Sequence, residues 1–301
     1  MRIFNEIPNL DKNTTIAIGT FDGVHYGHRQ VLSKAKQVAK ENNQEFVIFT
    51  FTDHPAIVTG SKEVPKLITV YEEKLELLKS FDADICIIYQ FDKKFSNLSP
   101  EDFIENILIE KLKAKNICVG FNFFFGYQAS GNIYTLKNLQ NKYNYNSYII
   151  EQFKIDNTIV SSSEIRKLIL DGNFEKANKL LGYEYSISGR VIKGKGIGKS
   201  VLGIPTANLD VNQRKILPKN GVYSCFVKIN NDIFKGVMNI GNRPTLDNGN
   251  KSIEVHIINF DKNIYDHYIT ITFKSFIRDE KKFNSLEELK EQILKDIESI
   301  I

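Results

Sequence analysis

The hydrophobic period of this 301-residue chain changes once, near Gly182, and that change constrains the fold more than any other feature. Upstream, short β-branched apolar runs alternate with helical patterns. TIAIG, residues 15–19, precedes a helix expected over about 27–41, and FVIFTF, residues 46–51, reads as a second strand. A helix over about 71–80 leads to DICIIYQF, and one over about 100–113 leads to NICVG. Strands that are apolar almost throughout, separated by helices, imply an α/β unit whose parallel sheet is covered on both faces. A helix-rich stretch over 161–181 closes this region, with Gly182 as its stop. Downstream, SISGRVI, GVYSCFVKIN, DIFKGVMNI, SIEVHIINF and HYITITFKSF are strand-like runs separated by Gly, Asn and Asp turn signals. Asn230-Asn231-Asp232 suits a hairpin turn. No helix is expected until 285–300, where Leu286, Leu289, Ile293, Ile297 and Ile300 follow helical spacing and are expected to pack as core. The second region therefore reads as an antiparallel barrel or sandwich with one terminal helix, and the expected domains are 1–182 and 183–301.

Composition narrows the function classes. Apolar residues are 42% and charged residues 25% of the chain, as in water-soluble globular proteins. No stretch approaches the ~20 consecutive apolar residues of a membrane span, and the N-terminus lacks the layout of a secretory signal. Cys86, Cys118 and Cys225 are widely spaced with no Cys-x-x-Cys pattern, which points to a reducing, cytoplasmic setting. The net charge is +4 and the lysines are scattered, so no basic stripe speaks for nucleic acid.

The densest chemical signal follows the first long strand: Gly19-Thr-Phe-Asp-Gly-Val-His-Tyr-Gly-His28. Gly19, Gly23 and Gly27 permit tight turning and close approach of backbone to a ligand. The loop feeds a helix N-terminus, where free amides and the helix dipole favour phosphate. His25 and His28, three apart, can share one side of the first turn and donate to a phosphate whose charge grows during displacement. Zinc is the competing use of paired histidines, but no third ligand follows at zinc spacing. A second signal is Ser161-Ser-Ser-Glu-Ile-Arg166. Its serines suffice as an N-cap, and with Arg166 they also suit a triphosphate.

Together these motifs resemble the His-x-Gly-His nucleotidyltransferases, and among them the bacterial bifunctional riboflavin kinase/FAD synthetases. Ser163 stands where that family usually has Thr. The resemblance implies a Rossmann-like nucleotidyltransferase domain with a parallel sheet, in which FMN phosphate attacks the α-phosphate of ATP and pyrophosphate leaves. It implies that His25 and His28 stabilise displaced charge, that Gly19, Phe21, Asp22 and Gly23 form the nucleotide loop, and that Ser161, Ser162 and Arg166 hold the β- and γ-phosphates. Val119–Gly126, followed by Ala129-Ser-Gly131, resembles the flavin-binding segment, with Asn122 and Phe124 as candidates; Phe124 replaces a residue that is usually polar or basic. Thr52-Asp53-His54-Pro55 resembles the family's Pro-His-Pro loop except at Asp53.

In the second region, Gly189-Arg-Val-Ile-Lys-Gly-Lys-Gly-Ile-Gly-Lys-Ser200 is close to a phosphate-binding P-loop but misses it. Lys193 occupies the position of the first glycine, and Gly203-Ile-Pro205 follows where a helix should open. It reads as a glycine flap, Gly194, Gly196 and Gly198, able to bend around phosphates. Gly203-Ile-Pro-Thr-Ala-Asn208 then matches the Pro-Thr-Ala-Asn motif of riboflavin kinases. Thr206 and Asn208 would point to one side of an extended segment and offer hard oxygen ligands for Mg2+. Gly221-Val-Tyr223, Asn239–Thr245, Glu254-Val-His256 and Arg278-Asp-Glu280 through Phe283 extend the resemblance to the end of the chain. It implies an antiparallel β-barrel kinase domain with a terminal helix. Glu254 is the candidate general base for the riboflavin 5′-hydroxyl. Expected partners are riboflavin, FMN and ATP, without nucleic acid or membrane. A chain with one active half, and a non-catalytic flavin-binding protein, are the competing functions.

Overall fold

In the computed structural model of the chain, residues 1–60, 63–194, 203–242 and 251–300 are described. Packing divides it into two units, Met1–Glu164 and Ile165–Ile301.

The first unit is built on a six-stranded sheet in the order Arg2–Phe4, Ile85–Tyr89, Glu45–Phe51, Thr14–Ile18, Ala114–Gly120, Asn146–Ile150. All five pairings are parallel. Alternation across the pleat explains why the strand sequences are apolar throughout. Ile16, Ile18, Val47, Phe49, Ile117 and Val119 enter one core, shared with Phe103 and Leu108. Ala17, Phe46, Ile48, Cys86 and Cys118 enter the other, shared with Val31, Leu32 and Ala35 of the helix Tyr26–Glu41. Each fully buried Ile or Val stabilises such a sheet by roughly 1.5–3 kcal/mol relative to exposure. At the amino ends of the central strands the polar groups are internally satisfied: Thr15 Oγ1 and Asn116 Nδ2 both donate to Gln44 Oε1, at 2.7 and 2.8 Å.

Two strands of this sheet escaped the sequence reading, Arg2–Phe4 and Asn146–Ile150. Both are edges of the sheet, only partly buried, and so carry a weaker apolar signature. The helix expected over 100–113 is a short α-turn, Pro100–Asp102, that continues as a π-helix over Phe103–Lys111.

The second unit contains a closed barrel, which decides between barrel and sandwich. Its order is Ser186–Ile192, Ala207–Val211, Lys251–Ile257, Asp232–Asn242, Gly221–Ile229, Tyr268–Arg278, and back to the first strand. Every pairing is antiparallel. The Gly221–Ile229 and Asp232–Asn242 strands form the expected hairpin, with Asn230 in the left-handed region at φ 53°. The texture change at 182 and the division by packing at 164 differ for a visible reason. The helix Phe174–Leu181 sends Phe174 into an aromatic cluster with Tyr185 and Phe273, centroids 6.2 and 4.6 Å away, so it packs with the barrel.

The terminal helix Leu286–Glu298 corrects one expectation. Its apolar stripe is not core: Leu286 is exposed, and Leu289, Ile293 and Ile297 are only half-buried. The buried residue is Asp296, whose carboxylate accepts from Arg278 Nε at 2.9 Å and Nη2 at 2.7 Å. A bidentate ion pair thus docks the helix where the periodicity suggested apolar contact alone.

Candidate active sites

The sheet's strand order reverses beside Thr14–Ile18: the chain builds outward to one side through Glu45–Phe51 and Ile85–Tyr89, then to the other through Ala114–Gly120 and Asn146–Ile150. Crevices for ligands form outside the carboxyl ends of strands at such a switch point. Both sequence-predicted segments of the first site emerge there. The Gly19–His28 loop leaves Thr14–Ile18, and the Phe121–Gly126 segment leaves its neighbour Ala114–Gly120, with Ala17 opposite Cys118 in register.

The loop is a constrained turn. Phe21, Gly23 and Val24 all have positive φ, at 46°, 84° and 37°. For Phe21 and Val24 that conformation costs of order 1–3 kcal/mol each, and both side chains are anchored in the core at 1% and 0% exposure. Asp22 is buried, and its carboxylate accepts from the Ile68 and Thr69 amides at 2.9 and 3.0 Å. Its backbone carbonyl accepts from Ser162 Oγ at 2.9 Å. Asp22 therefore braces the loop from within the protein. Ser161 Oγ accepts from the Glu164 amide at 3.2 Å, the N-cap geometry that the sequence allowed. The structure thus brings Ser162 to the histidine loop, while Ser161 starts the helix Ser162–Leu170. Arg166 lies one turn further along that helix, in the second unit.

His25 caps the helix Tyr26–Glu41, its Nδ1 accepting from the His28 amide at 3.3 Å. A ring nitrogen that accepts an amide proton is itself unprotonated, so the proton of the neutral ring sits on Nε2. The His28 ring stacks on His25 and meets the Phe21 ring edge-on at 5.4 Å. Asn122 and Phe124 are exposed, Phe124 at 61%, and the neighbouring rings of Phe123 and Phe125 stack 5.3 Å apart beneath them.

Two residues of this unit were not legible in the motif. Lys74, buried on the helix Tyr71–Lys79, donates from Nζ to the carbonyls of Phe51 at 2.7 Å and Thr20 at 3.2 Å. Burial pushes its pKa down, against the opposing pull of Asp22 and Asp53. Thr69 Oγ1 accepts from the Gly23 amide at 2.9 Å. Neither belongs to a recurring ligand pattern; only the folded chain brings them under the loop.

In the barrel, Glu254 stands opposite Asn208 on one neighbouring strand and Asn239 on the other. Directly opposed residues of an antiparallel pair share a face, so these three side chains form a row across three strands. The same strand buries Ile253, Val255 and Ile257 inside the barrel, which puts Ser252, Glu254 and His256 on the outer face. Ser252 Oγ donates to Glu254 Oε1 at 3.3 Å, and His256 Nδ1 lies 2.8 Å from the Pro205 carbonyl, tethering the segment that carries Thr206. Asn239 was quoted in the sequence only as part of a longer match; its cross-strand register gives it a place in the site. Gly194 approaches the Asn208 end of the row, where an added Cβ would collide with Asn208 Nδ2. Gly196 and Gly198 lie outside the described residues.

A glycine-rich strand-to-helix turn at the switch point of a parallel sheet, in a chain whose second unit is a barrel with an amide and carboxylate row, fits a transferase of the nucleotide-using class. A family model described as FAD synthetase matches residues 7–164, and one described as riboflavin kinase matches residues 181–301. A bifunctional riboflavin kinase/FMN adenylyltransferase of Buchnera aphidicola subsp. Schizaphis graminum is 42% identical, covering 100% of this chain and 98% of the relative. That of Bacillus subtilis is 36% identical, covering 96% and 92%. A crystal structure described as a macrolide-efflux protein from Streptococcus pneumoniae has the same fold, with a TM-score of 0.87 and 28% identity over 99% of this chain and 98% of that one. The chain belongs to the family of bifunctional riboflavin kinase/FMN adenylyltransferases. Among its described residues no helix is long and apolar enough to cross a membrane.

Proposed function

We propose that this chain phosphorylates riboflavin to FMN within residues 183–301 and adenylylates FMN to FAD within residues 1–182, using one ATP in each reaction. The observation that carries the reading is that each unit sets a glycine backbone against groups suited to phosphate chemistry: the tight Gly19–His28 turn in one, and Gly194 against Asn208 of the Asn208–Glu254 pair in the other.

In the first reaction the riboflavin 5′-hydroxyl oxygen bonds to the γ-phosphorus of ATP, the bond from that phosphorus to the β-bridging oxygen breaks, and ADP leaves. Glu254 accepts the hydroxyl proton. Thr206 and Asn208 bring a hydroxyl and an amide oxygen, hard donors that suit Mg2+. Bound there, Mg2+ would neutralise phosphate charge. Gly194 approaches the Asn208 side chain closely, which supports a role for this glycine beside the amide.

In the second reaction a phosphate oxygen of FMN bonds to the α-phosphorus of ATP and the α–β bridge breaks, releasing pyrophosphate. His25 Nε2–H and His28 donate to the oxygens that gain charge. Ser161, Ser162 and Arg166 are assigned to the leaving phosphates, and Gly19, Phe21, Asp22 and Gly23 to the shape of the loop. Asn122 and Phe124 are assigned to the flavin. Cys86, Cys118 and Cys225 are free and buried, which supports a reducing, cytoplasmic setting.

Incubation with riboflavin, ATP and Mg2+, followed by separation of the flavins, tests the reading. FMN appearing first and then FAD supports it; FMN accumulating alone leaves only the kinase, and bound flavin without ATP turnover leaves neither reaction.

A further inference from the structure

The segment from Ile68 to Lys74 touches no substrate in the reactions above, yet it holds the backbone of the histidine loop at several points. Lys74 Nζ bridges the Phe51 and Thr20 carbonyls, and Thr50 Oγ1 donates to the same Thr20 carbonyl at 2.9 Å. Thr69 Oγ1 accepts from the Gly23 amide and lies 3.4 Å from Asp22 Oδ1. The amides of Ile68 and Thr69 close on the Asp22 carboxylate. Thr20, Asp22 and Gly23 are thereby suspended from one short piece of chain.

The chemistry of Lys74 makes this more than ordinary packing. An ammonium buried at 2% exposure carries a large desolvation penalty, and an apolar side chain of similar length would fill the volume without it. The carbonyls it joins lie at the carboxyl ends of adjacent central strands, where the crevice opens. Thr69 and Lys74 hold the loop in the positive-φ conformation of Phe21, Gly23 and Val24 that delivers His25 to its helix cap.

We propose that Lys74 and Thr69 are positioning residues for adenylyl transfer, fixing the height of the 20–23 turn so that His25 and His28 meet the reacting phosphate. This rests on the adenylyl-transfer reading of the histidine loop, which FAD formation by the parent chain tests by itself.

A misplacement of about 1 Å in such a site costs about 100-fold in rate. Lys74→Met in the full chain is expected to lower kcat for FAD formation about 100-fold, with the KM for FMN changed less than threefold and riboflavin phosphorylation by the same molecules within twofold. Thr69→Val removes the acceptor of the Gly23 amide and a long donor to the Asp22 carboxylate while leaving Lys74 in place, and is expected to lower the same kcat about tenfold. In Lys74→Ala, methylammonium or ethylammonium is expected to restore FAD formation at least tenfold, a gain that a merely unfolded variant would not show. FAD formation by Lys74→Met or Thr69→Val within twofold of the parent overturns the proposal, as does a Lys74→Ala chain that small amines leave unchanged. A parent chain that makes FMN but no FAD sinks the site reading and this proposal with it.

Discussion

The imidazoles of His25 and His28 stack with centroids 3.6 Å apart and planes 16° from parallel. The His25 ring is locked as the helix cap through Nδ1, which fixes the orientation of the stacked pair. Loss of one preorganised donor of this type costs about 10²–10³ in kcat. His28→Ala should therefore lower FAD formation from FMN by that factor while riboflavin phosphorylation is unchanged. Flavin products measured from the two half-reactions with the same preparation check it, and parental FAD synthesis in the variant contradicts the assignment.

His25 serves two purposes, and they can be separated. His25→Asn keeps a good N-cap acceptor, whereas His25→Ala removes it and should cost a further 0.5–2 kcal/mol or so of stability. Both should lose adenylyl transfer; urea denaturation should show the first close to the parent and the second below it. Equal stability of the two would mean that the ring's cap contact contributes nothing.

Glu254 lies in register with Asn208 and Asn239 on the outer face of the barrel. Glu254→Gln preserves shape and hydrogen bonding but removes the base, and should lower FMN formation by about 10²–10⁴ with FMN adenylylation intact. A parallel loss of both activities would show a structural role.

Gly194 leaves no space for a side chain, since an added Cβ would collide with Asn208 Nδ2. Gly194→Ala should push the flap or the amide aside and reduce riboflavin phosphorylation at least tenfold, on the scale of geometric misplacement in a site. Steady-state kinetics with riboflavin and ATP give the answer; an unchanged rate would place the flap outside the reaction.

The buried thiols set an alkaline limit. Burial pushes Cys86 and Cys118 up to about 12 from an ordinary value of 9.0. The folded state therefore keeps these protons after the unfolded state has lost them. Their contribution is complete below pH 9 and is lost as pH rises toward 12, at up to about 1.4 kcal/mol per pH unit for each thiol. Lys74 and Lys251, pushed down by burial, act in the opposite sense below their ordinary value of 10.5. Cys225, Tyr145 and Tyr223, pushed up by burial, act in the same sense as the two thiols. Urea denaturation from pH 8 to 11 should show stability falling above pH 9, with a shallower fall in Cys118→Ala. A flat or rising curve would refute the account.

The sequence by itself determined that there are two regions, because an apolar run that satisfies both sheet faces and an alternating run that satisfies one are distinguishable by period alone. It also located the histidine loop, since glycines between a strand and a helix leave few other conformations. The family resemblance singles out Glu254, because alternation with Ile253 and Val255 marks an outward-facing strand residue and no more. Periodicity leaves barrel and sandwich open, the resemblance implies the barrel, and the fold bears it out. The docking of the terminal helix by Arg278 and Asp296 and the place of Asn239 in the Asn208–Glu254 row came only from the tertiary structure. Lys74 and Thr69 were equally invisible, because their partners are backbone carbonyls and amides 23 to 54 residues away. Periodicity reports which side of an element faces the core; it says nothing of which strands become neighbours or in what register, and that pairing is what places a buried charge beneath a loop.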